Sequence, residues 1–311
     1  MPENFRKVLV TAKVHPYLIE YLEEKGYQVL YHPGINNADT FEKIHSCIGL
    51  IVTTRIKVDK NLLDHAPQLQ WIGRLGSGME TIDTDYAREK GIRCKSSPEG
   101  NCDAVGEQVI GMLISLFANI QRSNLQLREG KWEREDNRGI EIGEKTVGII
   151  GYGHTGHAVA RKLSGFDCKV LAYDKYKEDY GDEYAERATL EEIQQKADIL
   201  TVHVPLNEET HHMINDQFLK AFAVPIYFIN ASRGKVAKTA DVIKNIREEH
   251  VLGACLDVLE NEHPASFSEE EKEQFNFLLN SEKVILTPHI AGYTHEAAYK
   301  MAHYVIKKLG L

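Results

Sequence analysis

The sequence has no apolar run long enough to cross a membrane, and it has few cysteines. No stretch approaches the ~18–20 uninterrupted apolar residues that a membrane helix requires. The first residues, MPENFRK, lack the apolar segment of a signal peptide. The five cysteines are scattered, odd in number and without C-x-x-C spacing, so neither a disulfide framework nor a metal site is indicated. These absences predict a cytoplasmic protein that does not associate with membranes.

An excess of positive charge is also missing. The chain carries 37 basic against 46 acidic residues, a formal net charge of −9. Proteins that bind DNA or RNA electrostatically present a basic face, so nucleic acid is not an expected partner. With 42% hydrophobic and 27% charged residues, the composition is that of an ordinary globular protein. The length of 311 residues is about twice that of a typical ~150-residue domain, so we expect two domains.

Short apolar runs alternate with amphipathic stretches along the chain, a pattern typical of parallel α/β folds. Runs that predict strands of a first sheet lie at residues 8–10, 27–31, 49–52 and 71–74. Runs that predict a second sheet lie at residues 146–150, 169–173, 199–204, 226–229, 252–255 and 284–286. These runs show little polar alternation, so helices are expected on both faces of each sheet. Between the two series, apolar residues spaced by three and four predict one long helix over residues 104–128.

A glycine-rich hexapeptide, GYGHTG at residues 151–156, follows the first strand of the second series. An amphipathic helix comes next, and then a strand that ends at Asp174. In this setting Gly151 permits a tight turn, Gly153 lets the backbone approach a pyrophosphate, and Gly156 allows close packing of helix on strand. The segment therefore predicts a dinucleotide site, with a purely structural glycine turn as the alternative.

Asp174 lies near the position, about 20 residues past the first glycine, of the carboxylate that binds the adenosine ribose hydroxyls. A carboxylate there repels a 2′-phosphate, so the sequence favours NAD over NADP as cofactor. Lys175 and Lys177 are close enough in sequence to offset part of this repulsion, and the use of NADP stays open.

Polar segments also follow three later strands, at the strand ends where doubly wound sheets bind ligands. These segments are NASRG at residues 230–234, LDVLENE at 256–262 and TPHIAG at 287–292. They contain an arginine, an acid and a histidine, which are the groups that dehydrogenation of an alcohol requires. Taken singly, Arg233 could be a surface ion pair, Glu262 a solvated acid and His289 a turn residue. Because the three residues occur in this order after a dinucleotide-binding loop, together they indicate a catalytic site.

Together with RLGSG at residues 74–78 and GKW at 130–132, these motifs resemble the D-isomer-specific 2-hydroxyacid dehydrogenase family, the phosphoglycerate dehydrogenase-like group. The matching segments span nearly the whole chain. The resemblance implies an α/β fold of two doubly wound parallel-sheet (Rossmann-type) domains with the active-site cleft between them. It implies a discontinuous substrate domain of residues 1–98 and 288–311 and an NAD-binding domain of residues 99–287. A homodimer formed through the NAD-binding domain is also implied.

The resemblance places the family's catalytic trio on Arg233, Glu262 and His289. His289 would exchange a proton with the substrate oxygen while hydride moves between the substrate and the nicotinamide. Glu262 would orient the imidazole and favour its protonated form, and Arg233 would bind the substrate carboxylate. The family's formate-oxidising branch has Gln at the position of Glu262, so that activity is not expected.

Further contacts are implied by motif position alone. The implied cofactor contacts are Gly151, Gly153, His154, Thr155, Gly156, Asp174, Val204, Pro205, Ala231, Asp257 and Gly292. The implied substrate contacts are Arg55, Ser77, Gly78 and Arg233. Asp257 is expected to reach the nicotinamide carboxamide, and Ser77 and Gly78 are expected to offer backbone N–H groups to the substrate carboxylate.

The expected function is the NAD-dependent interconversion of a small D-2-hydroxy acid and its 2-keto acid. Two alternatives stay open. One is D-3-phosphoglycerate dehydrogenase activity in serine biosynthesis, which needs cations for the phosphate, with Arg55 as the candidate. The other is a non-catalytic, NAD-sensing protein like the family's corepressor branch, which can retain the same trio.

Overall fold

A computed structural model describes residues 6–311 of the chain. The chain divides into two compact units. The first consists of the chain up to Cys102 together with Tyr293–Leu311, and the second is Asp103–Gly292. Each unit contains its own parallel β-sheet.

The first unit is built on a five-stranded sheet with the order β2-β1-β3-β4-β5, parallel throughout. Its elements in chain order are β1 (Arg6–Val10), α1 (Pro16–Glu24), β2 (Tyr27–Tyr31), α2 (Asn37–Ile44), β3 (Cys47–Val52), α3 (Lys60–Asp64), β4 (Trp71–Arg74), α4 (Thr84–Glu89), β5 (Arg93–Ser96) and the start of α5 (Pro98–Phe117).

The second unit is built on a seven-stranded parallel sheet with the order β12-β11-β10-β9-β6-β7-β8. Its elements after α5 are α6 (Ile120–Arg128), β6 (Thr146–Ile150), α7 (His154–Leu163), β7 (Lys169–Tyr173), β8 (Glu186–Arg187), α8 (Leu190–Lys196), β9 (Ile199–Val202), α9 (Asp216–Lys220), β10 (Ile226–Asn230), α10 (Thr239–Arg247), β11 (Val251–Leu256), α11 (Glu269–Asn280) and β12 (Val284–Leu286). The last helix, α12 (His295–Leu309), belongs to the first unit. The strand order of the second sheet reverses between β6 and β9, which marks the point where such sheets bind ligands.

Both sheets have an apolar core on each face. In β1, Val8 and Val10 pack with α1 and α12, whereas Leu9 packs with α2 and α3 on the opposite face. In β6, Ile149 packs with α5 and α7, whereas Ile150 packs with α8 and α10. This division follows from the alternation of side chains along a strand, and it explains why the strands are continuous apolar runs. The predicted fold class, doubly wound α/β, is confirmed.

The prediction of one long helix over residues 104–128 is wrong. The segment forms two helices, α5 and α6, bent by 60° relative to each other. Asn119 between them has a φ of 51°, in the left-handed region that ends helices, and Ile140 donates to the carbonyl oxygen of Phe117 at 2.9 Å. The spacing of apolar residues does not reveal a single residue in the left-handed conformation. The apolar pattern continues across Asn119, so it predicted one helix where the structure has two.

Two edge strands, β5 and β8, were absent from the sequence-based prediction. Both are short and polar: β5 reads RCKS, and both residues of β8 are exposed. Edge strands have a solvated side, so they need no apolar run. Within residues 6–311 no single helix is long and apolar enough to span a membrane, and α5 and α6 reach that length only when counted together across their bend.

Candidate active site

The glycine loop joins β6 to α7 and has room only for glycine at two positions. Gly151 has a φ of 93°, and a Cβ on it would lie 2.6 Å from the carbonyl oxygen of His203. A Cβ on Gly156 would lie 2.1 Å from the carbonyl oxygen of Gly151. Gly153 is the N-cap residue of α7 and has no side chain that could accept a hydrogen bond from the first turn. The N–H groups at the start of a helix point out of its end, here toward the glycine loop. This geometry fits a dinucleotide pyrophosphate, with His154 and Thr155 in the first turn.

Asp174 follows β7 and is held against the glycine loop. One carboxylate oxygen accepts a hydrogen bond from the backbone N–H of Tyr152 at 2.9 Å, and the other accepts one from Tyr176 at 3.1 Å. Each carboxylate oxygen has two lone pairs, so acceptor capacity remains for ribose hydroxyls. The side chain therefore has a defined orientation beside the predicted pyrophosphate site.

The two lysines after Asp174 bond to acceptors within the protein. Lys175 Nζ lies 2.8 Å from Glu209 Oε1, and the hydroxyl of Tyr176 donates to the same carboxylate. Lys177 Nζ donates to the carbonyl oxygen of Tyr152 at 2.6 Å. In this arrangement both ammonium groups are engaged near the predicted ribose site.

The loops after β10, β11 and β12 carry the three predicted catalytic residues. These strands are neighbours in the parallel sheet, so their carboxyl ends lie at one edge. His289 Nδ1 and Glu262 Oε2 are 2.8 Å apart, with side chains 40% and 37% exposed. Because Nδ1 bonds to the carboxylate, Nε2 is the ring nitrogen that remains for a substrate.

His289 has an uncommon backbone conformation, with a φ of 54°. Its N–H donates to the carbonyl oxygens of Asp257 at 2.8 Å and Thr287 at 3.0 Å. Left-handed conformations of residues other than glycine are costly and concentrate at functional sites. The surrounding hydrogen bonds hold this histidine in a conformation that it would otherwise disfavour.

The pKa of His289 is raised above its ordinary value. The hydrogen bond to Glu262 is the largest cause, and the charges of Glu262 and Asp257 act in the same direction. Burial and the positive charge of Arg233 lower the pKa and oppose this effect. The imidazolium is fully populated below the raised pKa and is lost as the pH rises through it, so the site favours a proton donor.

Arg233 lies in a loop organised by a buried asparagine. Asn230, 1% exposed, donates from Nδ2 to the carbonyl oxygen of Arg233 at 3.0 Å and accepts from the N–H of Ser232 at 3.0 Å. An Nη1 of Arg233 donates to the carbonyl oxygen of Ser232 at 2.7 Å. Arg233 is near enough to His289 for its charge to lower the pKa of that histidine, which itself bonds to Glu262.

Asp257 also has a structural role, which the sequence did not reveal: it accepts hydrogen bonds from the segment around His289. Its carboxylate is 2% exposed and accepts hydrogen bonds from Thr287 Oγ1 at 2.5 Å, Ile290 N–H at 2.9 Å and Ala291 N–H at 3.0 Å. These donors flank His289 on both sides. Asp257 therefore holds the loop that carries the histidine, and its contact with a nicotinamide carboxamide stays a prediction.

The remaining predicted residues fall in both units. Val204, Pro205, Ala231 and Gly292 belong to the second unit, and Ser77, Gly78 and Arg55 belong to the first. Ser77 Oγ lies 3.0 Å from Asn101 Oδ1. Arg55 donates to the carbonyl oxygens of Pro33 at 2.7 Å and Ile35 at 3.1 Å, so its guanidinium stabilises a neighbouring loop. The described part of the chain contains no group of three or more His, Cys, Asp or Glu placed to hold a metal ion.

Comparison with known families matches residues 110–291 to the NAD-binding domain of the D-isomer-specific 2-hydroxyacid dehydrogenases. The chain belongs to this family. The match covers the glycine loop and the loops that carry Arg233, Glu262 and His289. NAD as the cofactor is thereby confirmed for this domain.

Individual proteins resemble the chain over most of its length. It is 30% identical over 299 residues to D-3-phosphoglycerate dehydrogenase of Sus scrofa, covering 94% of this chain and 54% of that protein. The chain thus spans about half the length of that curated relative. D-lactate dehydrogenase of Aquifex aeolicus, solved with NAD and lactic acid, is 25% identical with a TM-score of 0.84, covering 98% and 94% of the two chains. An NADPH-dependent glyoxylate/hydroxypyruvate reductase of Sinorhizobium meliloti is 25% identical with a TM-score of 0.81, covering 98% and 92%.

Replacing Glu262 by Gln should move the pKa of His289 down toward its ordinary value. The amide keeps the shape of the side chain but removes the charge and the charge-assisted hydrogen bond that raise this pKa. NMR titration of the histidine ring protons measures it, with the resonance assigned through His289→Gln. Glu273→Gln, which removes an exposed charge on α11, is the matched control and should leave the titration unchanged. The same midpoint in Glu262→Gln and the parent would contradict the pairing.

Proposed function

We propose that this chain is an NAD-dependent oxidoreductase that interconverts a small D-2-hydroxy acid and its 2-keto acid. The pair of His289 and Glu262, 2.8 Å apart, is the observation that carries the proposal. A histidine whose pKa is raised by a carboxylate is a suitable general acid for reduction of a carbonyl group. The position of the pair behind an NAD-binding domain and the names of the relatives support the same chemistry.

The proposed mechanism assigns one task to each residue of the trio. Bound NADH supplies the hydride for reduction, and NAD accepts it in the reverse direction. Arg233 binds the substrate carboxylate, a planar anion that guanidinium matches with two parallel hydrogen bonds. His289 donates its Nε2 proton to the carbonyl oxygen, which becomes the hydroxyl of the product. Glu262 stabilises the imidazolium before transfer and orients the ring.

The proposal includes separate tasks for the two parts of the chain. The second unit, Asp103–Gly292, is the proposed NAD-binding domain, and the first unit, the chain up to Cys102 with Tyr293–Leu311, is the proposed substrate domain. The sequence-based bounds, 99–287 for the NAD-binding domain and 1–98 with 288–311 for the substrate domain, differ from these units by four or five residues. Ser77 and Gly78 are the substrate domain's proposed contacts to the substrate carboxylate, with Arg55 as a further substrate contact. We also place the protein in the cytoplasm, because its five cysteines are unpaired and free thiols persist in reducing compartments.

D-3-phosphoglycerate dehydrogenase activity is a second candidate, favoured by the names of relatives that match 94% of this chain. It requires cations for the phosphate of the substrate. Arg55, the sequence-based candidate, uses two of its five N–H donors on backbone carbonyl oxygens, so it can contact a substrate carboxylate but would have to bind the phosphate with its remaining donors alone. Small 2-keto acids without a phosphate are therefore the first substrates to test.

A panel of 2-keto acids with NADH tests the activity, and 3-phosphohydroxypyruvate belongs in it. We expect reduction of at least one small keto acid, with activity declining as the pH rises through the raised pKa of His289. His289→Ala should lower kcat by roughly 10²–10⁴-fold while NADH still binds, because general acids typically contribute that much. Arg233→Ala should raise KM for the keto acid and also lower kcat.

The same panel separates the alternatives. Preference for 3-phosphohydroxypyruvate would replace the proposed substrate class with the phosphorylated one. NADH binding without reduction of any keto acid would contradict catalysis and favour a non-catalytic NAD-sensing protein.

Preference for NAD over NADP is part of the proposal, and two carboxylates support it. Asp174 is held by backbone N–H groups beside the glycine loop. Glu209 pairs with Lys175, the lysine that directly follows Asp174 in the sequence. The second lysine, Lys177, donates to a backbone carbonyl oxygen. A 2′-phosphate would therefore meet the negative charge of Asp174, while both lysines that follow it in the sequence are engaged by other acceptors.

Asp174→Ser and Glu209→Gln should each improve the binding of NADPH, and their combination should do so by on the order of tenfold or more. The first removes the repelling carboxylate, and the second releases Lys175. Glu208→Gln, the same charge change one residue away, is the control and should leave the ratio of the two dissociation constants close to that of the parent. Fluorescence titration with NADH and NADPH measures both constants. An unchanged ratio in the double variant would refute this account of selectivity.

A homodimer is also proposed, and α6 with the loop after it is its supporting surface. Helix α6 has no buried residue, and Leu125 and Leu127 are 52% and 53% exposed. Trp132 in the following loop is 79% exposed. Leu125 and Leu127 are two residues apart on α6 and therefore point to different sides of the helix. A partner must cover the helix from more than one side to bury both. A second copy of this chain is the occupant that the family resemblance implies.

Leu125→Glu combined with Leu127→Glu should convert a dimer into a monomer, because it places two charges in the proposed apolar contact. Sedimentation velocity measures the mass. Leu279→Glu on α11, where the leucine is 57% exposed, is the matched control and should leave the dimer intact. A parent protein that sediments as a monomer would refute the proposal.

A further inference from the structure

Glu260, two residues before Glu262, has a partly buried carboxylate with two short hydrogen bonds. One oxygen accepts from the backbone N–H of Thr239 at 2.6 Å, and the other lies 2.5 Å from His212 Nε2. The side chains of His212 and Glu260 are only 33% and 26% exposed. Both bonds reach across sequence separations of more than 20 residues, so the carboxylate joins three separate segments of the second unit.

The bond to Thr239 satisfies the start of α10. Helix α10 begins at Thr239, and its N-cap residue, Lys238, makes no side-chain cap. The first N–H groups of a helix lack partners within the helix, and a carboxylate is favoured there by the helix dipole. Glu260 therefore supplies from a distant loop the acceptor that the local sequence does not provide.

The bond to His212 connects the same carboxylate to a second loop. His212 has a φ of 54°, its ring centroid lies 4.0 Å from that of His211, and its N–H donates to the carbonyl oxygen of Lys235 at 2.8 Å. The histidine is thus held in place by its backbone and by contact with the tilted ring of His211. It gives Glu260 a rigid partner beside the loop that carries Arg233.

The backbone before Glu260 also contacts the Arg233 loop directly. A Cβ added to Gly234 would lie 1.8 Å from the carbonyl oxygen of Leu259 and 2.6 Å from the backbone nitrogen of Glu260. Glycine is needed here because the two loops touch through their main chains. If residues 259–260 shifted, their backbone would therefore push against Gly234, the residue that follows Arg233.

Few contacts of the Glu262 side chain fix its position. Within residues 6–311 its carboxylate makes one hydrogen bond, to His289. The next residue back, Asn261, bonds to Glu271 at 3.1 Å and to Ser266 at 3.2 Å. Glu262 is thus positioned through its backbone, which Glu260 and Asn261 hold on the N-terminal side and the N–H of His263, donating to Asn261 Oδ1 at 3.0 Å, holds on the C-terminal side.

We propose that Glu260 is a positioning residue for the His289–Glu262 pair, acting through its bonds to Thr239 N–H and His212. It holds the loop after β11 so that the carboxylate of Glu262 faces Nδ1 of His289. It also keeps that loop in register with the one that carries Arg233. The inference rests on the proposed function for its kinetic consequences, but its structural consequence at His289 is independent of catalysis.

Three substitutions separate positioning from a merely local effect. Glu260→Ala removes both hydrogen bonds. Glu260→Gln retains an oxygen that can accept from Thr239 N–H and an amide that can donate to a neutral His212 ring. His212→Asn removes the ring, and asparagine tolerates the left-handed backbone better than other residues. Glu273→Ala, an exposed acid on α11, is the control.

In Glu260→Ala we expect kcat for keto-acid reduction to fall on the order of tenfold, because small misplacements of catalytic groups are costly. The Kd of NADH should stay within roughly twofold of the parent, since the glycine loop is untouched. The decline of activity with rising pH should occur at lower pH, because a loosened Glu262 raises the pKa of His289 less. Asp257 and Arg233, the other charged groups that act on His289, remain in place.

Glu260→Gln should restore most of the activity and the pH profile, and His212→Asn should show a smaller change in the same direction as Glu260→Ala. Combining His212→Asn with Glu260→Ala should add little beyond Glu260→Ala alone. Circular dichroism and NADH binding report whether each variant is folded. If Glu260→Ala does not fold, His212→Asn and Glu260→Gln carry the test.

NMR titration of His289 distinguishes failure of this inference from failure of the proposed function. A folded Glu260→Ala variant whose His289 titrates as in the parent overturns the inference, whatever the protein catalyses. If Glu260→Ala is unfolded, an unshifted His289 titration in His212→Asn overturns it instead. A protein that reduces no keto acid, but whose His289 titrates at lower pH in Glu260→Ala, overturns the proposed function alone.

Discussion

The buried carboxylate of Asp257 accepts three hydrogen bonds from the segment that contains His289, and the candidate site depends on this interaction. Burying a carboxylate is costly unless its oxygens are satisfied. Thr287, Ile290 and Ala291 satisfy them at distances of 2.5–3.0 Å. The stabilisation is mutual. The donors satisfy the buried carboxylate, and the carboxylate fixes the loop that carries the donors. His289 can then remain at a φ of 54° with its ring directed to Glu262.

Buried or partly buried polar side chains support the other parts of the site in a similar way. Asn230 organises the loop of Arg233, and Glu260 joins the loop of Glu262 to α10 and His212. Asn230 bonds within its own loop, whereas Asp257 and Glu260 bond to segments distant in the chain. The parallel sheet supplies the common frame, because β10, β11 and β12 end at the same edge. Precision comes from the polar contacts between the loops, which a sheet alone does not provide.

Much of this organisation was readable from the sequence, and the parts that were not have physical reasons. Continuous apolar runs predicted the buried strands, since both faces of each sheet are covered. The polar edge strand β5 had no such run. The bend at Asn119 depends on one left-handed residue, which periodicity does not register. The motif order predicted that Arg233, Glu262 and His289 would meet, because each follows a parallel strand.

The sequence by itself determined the α/β class, the glycine loop with Asp174, and the identity of the candidate catalytic side chains. These features depend on local composition, on spacing and on the fixed direction of parallel strands. The tertiary structure alone decided the partners of the polar groups: Lys175 with Glu209, Glu260 with His212 and Thr239, and Asp257 with the His289 loop. A hydrogen bond forms only when donor and acceptor, here on segments far apart in the chain, are placed to within a few tenths of an ångström. A linear pattern does not contain those distances, so the fold had to bring the segments together before the partners could be named.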